Sequence, residues 1–215
     1  MRIDISHHIG AVVRELVRVE KDGVPAWKLV ATRSYATSPD DLWDALTNPR
    51  RIPRWFLPVS GDLRVGGQYE LQGNASGDIL VCDAPRHLGL TWGMHGQVSW
   101  VDVYLDKQIG GTELRLEHIA HVPDEFWKQY GPGAVGVGWD GALLGLALHS
   151  ETGTSISPEA SQEWQASEEG KGFFRLSSEH WCAASIAAGT DPDEARAAAA
   201  NTTGFYTGVP PEGAA

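Results

Sequence analysis

The sequence predicts an α+β protein, an antiparallel strand meander with helices before and after it. Three observations predict it. From Gly61 to about Val122 apolar and polar residues alternate in short runs separated by Gly, Pro and Asp, the pattern of half-buried antiparallel strands. On either side the apolar spacing switches to i, i+3, i+4, that of an amphipathic helix. The change of period at Ser38 is marked by a helix start signal, Ser-Pro-Asp-Asp.

In chain order, residues 9–36 read as a hairpin. "HIGAVVRELVRVE" and "AWKLVATRSYAT" are rich in β-branched residues, and Asp22-Gly23 offers the turn between them. A short helix over residues 10–18 is the alternative. Ser38 caps the next element, with Pro39 at its first position and Asp40 and Asp41 at the positive end of the dipole. Leu42, Ala45 and Leu46 form its apolar stripe, and Asn48-Pro49 ends it, because proline disfavours helical geometry in the residue before it. Ile52, Trp55 and Phe56 make a second short turn, so this stretch is two short helices with a bend. The meander follows: a turn at Gly66-Gly67, alternation at Tyr69 and Leu71, then at Leu88, Leu90 and Trp92, and an Ile-Gly-Gly turn before "TELRLEHIAHV". In that last strand Leu114, Leu116 and His118 share one face, and Glu113, Arg115 and Glu117 the other.

After Pro123 the helical period returns, with Trp139, Ala142, Leu143 and Leu146 on one stripe. Residues 151–170 read as a polar connection. One further helix runs through "RLSSEHWCAASIAAG" and stops at Gly189. Another starts where Asp191 caps, Pro192 takes the first position and Glu194 completes a capping box. The tail "GVPPEGAA" reads as frayed.

Of 215 residues, 42% are apolar and 21% charged, which suits a folded domain with a real core. Lys and Arg number 17 against 28 Asp and Glu, a net charge of −11, so neither nucleic acid nor anionic membrane is an expected partner. The one basic cluster, Arg50, Arg51 and Arg54, reads as a solvated face. Cys82 and Cys182 make no disulfide framework or metal knuckle, and the N-terminal segment is interrupted by charge. No run reaches membrane-spanning length. The expected setting is reduced and cytoplasmic.

Four separated segments carry a family resemblance: "ATSPDDLWDALTNPRRIPRWF", "GDLRVGGQYEL", "GDILVCDAPRHLGLTWG" and "GTELRLEHIAH", followed by a helix opening on Gly-Trp. Their order resembles the SRPBCC superfamily, with its helix-grip, START-like fold. The residues look most like the bacterial branch similar to the C-terminal domain of the activator of heat-shock protein 90 ATPase. The resemblance covers roughly residues 27–150. It implies a curved antiparallel sheet wrapped around a long C-terminal helix, with a cavity between them and the two short helices closing one end. Residues 1–150 then form the helix-grip domain, and 151–215 a helical extension packed on it, as either a lid or an oligomer contact. The stripe Ala195, Ala198, Ala199 and Thr202, with Phe205 and Tyr206 beyond it, would serve either role, a homodimer included. The family shares no catalytic set, so no catalytic residue and no cofactor are assigned.

Within that frame alternation turns Tyr69, Leu71, Leu90, Trp92, Val101, Val103, Leu116 and His118 inward, and Trp139 and Leu143 face them from the helix. Trp55 and Phe56 fall where a pocket mouth could lie, whereas Trp43 reads as core. Apolar walls with a few polar tips suit a small hydrophobic or aromatic ligand, and a filled core has the same composition. Nine tryptophans fit either. The leading function is therefore a binding protein for such a molecule. The alternatives are a cyclase- or hydrolase-type enzyme with His118 as acid or base, and a chaperone ATPase co-factor. No metal site is expected, because His118 and His121 point to opposite sides of a strand, as His7 and His8 would if extended. "GPGAVG" matches G-x-G-x-x-G but lacks the parallel βαβ unit that gives the motif its meaning.

Overall fold

A computed structural model describes residues 3–94 and 96–209. Most of the tail read as frayed lies outside them. The chain divides into two compact units. The first gathers Met1–Ala31, His121–Gly141 and Pro158–Ala215, and the second Thr32–Ala120 and Ala142–Ser157. The expected segments 1–150 and 151–215 both cross these units.

The architecture is α+β, with a curved antiparallel sheet of eight strands in the order β1-β2-β8-β7-β6-β5-β4-β3. The hairpin forms as expected: β1 (Val13–Lys21) and β2 (Val24–Tyr35) join at Asp22 and Gly23, both with positive φ. Helix at this end falls earlier than the alternative reading put it, in α1 (Ile5–Gly10), which Asp4 caps. His7 and His8 are therefore helical rather than extended.

In the second unit α2 (Pro39–Thr47) starts as its sequence demands, with the Ser38 hydroxyl accepting from the Asp41 amide. Arg51 returns to donate to Asp41 and Asp44 at 2.8 and 2.9 Å, which ties the bend after Pro49 to the helix it follows. A single 3-10 turn, Ile52–Arg54, makes the second short element. The meander then runs through β3 (Val59–Gly61), β4 (Gln68–Leu71), β5 (Ser76–Asp83), β6 (His87–Met94), β7 (Gln97–Gln108) and β8 (Gly111–Ala120). Its register sets Ile79 opposite Leu90, Leu90 opposite Val101, and Val101 opposite His118. Directly opposed residues share a face, so these four make one row across four strands.

The first unit holds α3 (Asp124–Tyr130) and the helices of the extension. The long α4 (Gly133–Thr152) runs through both units. It begins before the Gly-Trp pair and absorbs most of "GPGAVG". The glycines there are packing sites. A Cβ on Gly136 would stand 2.3 Å from the Trp181 ring. Farther along, a Cβ on Gly145 would stand 2.4 Å from the Trp55 carbonyl.

The segment read as a connection contains α5 (Pro158–Ala166), and α6 (Glu168–Ala187) starts earlier than its apolar run suggested. Ser167 caps α6 by accepting from the Gly170 amide. A polar surface helix such as α5, which buries no residue, carries little apolar periodicity, and the first turn of α6 is polar as well, Glu-Glu-Gly-Lys. The helix α7 (Pro192–Thr207) starts where expected, with Asp191 accepting from the amides of Asp193 and Glu194, but the Glu194 side chain returns no bond to Asp191, so the expected capping box is not completed. Its stripe of small residues packs inside the unit: Ala195, Ala198 and Thr202 are buried, and Thr202 donates to the Tyr130 carbonyl. Tyr206 donates to the Ala134 carbonyl, while Phe205 stays 68% exposed.

One buried ion pair organises the first unit. Arg14 on β1 and Asp140 on α4 have side chains 3% and 1% exposed, and three donors converge on one Asp140 oxygen. They are Arg14 Nε at 3.0 Å, the Ser177 hydroxyl at 2.5 Å and Trp181 Nε1 at 3.1 Å. Burial pushes the Asp140 pKa up, and the guanidinium and the two neutral donors oppose it.

Candidate functional site

In the second unit the inner face of the sheet gathers most of the expected side chains. Tyr69, Leu71 and Ile79 form a buried cluster, and Phe56, Leu57, Leu88, Leu90 and Trp92 pack against it while staying partly exposed. Tyr69 donates to the Thr91 carbonyl at 2.8 Å, and its ring lies 6.3 Å from that of Trp92. Burial pushes the Tyr69 phenol pKa up, so the hydroxyl stays protonated and serves as a donor. Val101, Val103 and Leu116 are buried on the same face. Trp55 sits at the edge, its Nε1 donating to the Ala45 carbonyl and its ring 5.4 Å from Phe56. Leu143 is 3% exposed, and its carbonyl accepts from Tyr35 Oη at 3.2 Å. Trp139 is half-buried and falls in the first unit, apart from the other eleven expected residues.

His118 is the polar centre of this face, as alternation in β8 implied. It is 5% exposed, lies 6.4 Å from the Trp92 ring, and its Nε2 sits 2.7 Å from Ser99 Oγ. Ser99 donates its own proton to the Trp92 carbonyl at 3.1 Å. Nε2 must therefore carry the hydrogen in that contact, which assigns the tautomer. Burial lowers the His118 pKa to about 4. The ring is a neutral donor at pH 7, and it is not placed to take a proton from Ser99.

On the opposite face, where alternation in β8 sets Glu113, Arg115 and Glu117, lies a polar cluster. His87 Nε2 is 2.6 Å from Asp102 Oδ1, and the His87 ring stacks on Tyr104 at 4.3 Å. Arg115 covers the Tyr104 ring at 4.4 Å and pairs with Glu117. Burial and the carboxylates of Asp102 and Glu117 raise the Tyr104 pKa. These residues come from three strands, and only the β6–β7–β8 register brings His87, the Asp102 and Tyr104 pair and the Arg115 and Glu117 pair together. Among the described residues no His, Cys, Asp and Glu grouping could hold a metal ion, and no helix is long and apolar enough to cross a membrane.

Residues 36–150 match the model of the activator of Hsp90 ATPase homolog 1-like family. The chain belongs to this family. The family stretch contains α2, the meander and α4 up to residue 150, and hence all twelve expected residues. Among solved structures, the crystal structure of CalU16 from Micromonospora echinospora is 35% identical. It matches over 84% of this chain and 99% of its own, with a TM-score of 0.65. The solution structure of CalU16 gives a TM-score of 0.68, over 83% and 97% of the two chains. Protein MLL2253 from Mesorhizobium loti is 26% identical over 58% of this chain and 98% of its own, with a TM-score of 0.51. The likeness to CalU16 thus reaches beyond the family stretch. None of the curated proteins matches the chain.

Proposed function

We propose that this protein binds a small apolar or aromatic molecule on the inner face of the sheet in its second unit, beside the 142–152 stretch of α4. The observation that carries this reading is the incomplete burial of Phe56, Leu88, Leu90 and Trp92 around a fully buried centre. A filled core buries such side chains, and each left partly open forgoes on the order of 1 kcal/mol of transfer free energy. A ligand laid against them recovers that energy. Tyr69 and the His118–Ser99 pair supply neutral polar contacts to orient it.

Binding is favoured over catalysis because the polar centre is unsuited to proton transfer. A histidine with a pKa of about 4 is neutral at pH 7, and its Nε2 hydrogen already points at Ser99. Acid–base work near neutrality needs a group poised near that pH.

Native mass spectrometry of gently purified protein, repeated under denaturing conditions, tests the reading. An extra mass lost on denaturation, and absent from Trp92→Ala, is the expected result. A bound mass retained in full by a folded Trp92→Ala would place the ligand elsewhere.

A further inference from the structure

The first unit contains a cleft of about 340 Å³, at the small end of the range for small-molecule sites. One wall is aromatic. Trp27 and Trp127 stack with ring centroids 4.3 Å apart and planes 9° from parallel. Its floor is hollow because the residues there are small: Gly131, Ser185, Ala195 and Ala198 line it, supplied by α6, α7 and the end of α3. The turn between α6 and α7 is fixed at the rim, where Ser185 Oγ donates to Thr190 Oγ1 at 2.9 Å.

The charges around the cleft leave an imbalance. The lining holds three carboxylates, Asp124, Asp191 and Glu194, against two cations, Arg18 and Lys128. Lys128 is paired with Glu125 at 3.2 Å. Asp191 is occupied as the cap of α7. The Arg18 guanidinium lies 4.3 Å over the Trp27 ring. Asp124 and Glu194 therefore face the cleft as uncommitted carboxylates beside a tryptophan pair. The Trp127 ring and the Arg18 guanidinium cover the two faces of Trp27, so the pair offers the cleft an apolar indole wall and the carboxylates supply the attraction for a cation.

We propose that this cleft is a second binding site, separate from the sheet face, for a small organic cation: an amine or amidine carried on a flat apolar body. The apolar body lies along the Trp27–Trp127 wall, and the cationic group sits between Asp124 and Glu194. The site does not depend on the function proposed above, because its lining shares no residue with the sheet face.

Titration of the whole protein with protonated 2-phenylethylamine, phenylacetate and 2-phenylethanol tests this, followed by NMR at the indole Nε1–H resonances. The expected result is saturable binding of the amine roughly tenfold tighter than either the anion or the alcohol, the scale of an ion pair partly shielded from water. Trp27 and Trp127 should shift and Trp92 should not. Glu194 is exposed and caps nothing, so Glu194→Gln should keep the melting temperature while weakening the amine several-fold. Trp92→Ala should leave amine binding unchanged. Equal affinity for the three probes, shifts centred on Trp92, unaltered binding in Glu194→Gln, or no saturation in the millimolar range would each overturn the proposal.

Discussion

The hydroxyl of Ser99 donates to the Trp92 carbonyl, so His118 must donate to Ser99, and this chain of protons fixes the chemistry of the inner face. It also sets a pH dependence. The folded pKa of His118, about 4, lies below the ordinary value of 6.5. Between these values the unfolded chain binds a proton that the folded chain refuses. Stability from this group is therefore complete above about pH 6.5 and falls as pH drops towards 4, by about 3 kcal/mol in all. Urea unfolding at pH 7 and pH 4.5 should show this loss in the natural protein and much less of it in His118→Gln. Equal losses in both would mean that the histidine is not the titrating group.

At the scale of elements, α4 is held by what its glycines admit and what its aspartate binds. Gly136→Ala would push a methyl group into the Trp181 ring, and Gly145→Ala would push one into the Trp55 carbonyl. Overpacking of this kind costs about 1–3 kcal/mol, measurable as a lower thermal midpoint, with Gly141→Ala as the control because nothing lies near it. The Arg14–Asp140 pair is a sharper case. Arg14→Ala leaves an almost wholly buried carboxylate without its charge partner, for which about 3–5 kcal/mol is the usual cost. Asp140→Asn strands the buried Arg14 guanidinium in turn, which cannot shed its charge, so it should cost a similar amount even though the amide oxygen can still accept from Ser177 and Trp181. Chemical denaturation of both variants measures this, and a loss below about 1 kcal/mol in either would contradict the role assigned to the pair.

At the scale of the whole molecule, the extension from Pro158 onward belongs to the first unit, as β1 and most of β2 do. Its α6 supplies Ser177 and Trp181 to Asp140, and α7 closes over Tyr130 through Thr202. A fragment ending at residue 150 would leave those partners bare. It should aggregate or melt without a cooperative transition in calorimetry, whereas a fragment melting within a few degrees of the full chain would show that the extension is dispensable. The likeness to CalU16 over 84% of this chain, against a family stretch of residues 36–150, is consistent with a extension that is structural rather than appended.

Sequence alone determined the local events. Ser38, Pro39 and Asp191 set helix starts because a cap needs only neighbours within three residues. Strict alternation in β8 put His118 inward because a pleated strand leaves it no other side. The family itself was legible for the same reason, in four segments kept in order. Tertiary structure decided everything that depends on which distant residues meet. The tautomer of His118 rests on Ser99 in the neighbouring strand, the His87–Asp102–Tyr104 cluster on register, and the Trp27–Trp127 wall on a strand and a helix a hundred residues apart. Periodicity reports which way a side chain points and carries no record of what stands opposite. The α5 helix, polar and short, escaped even that test, because its place is set by the neighbours it packs on rather than by a stripe of its own.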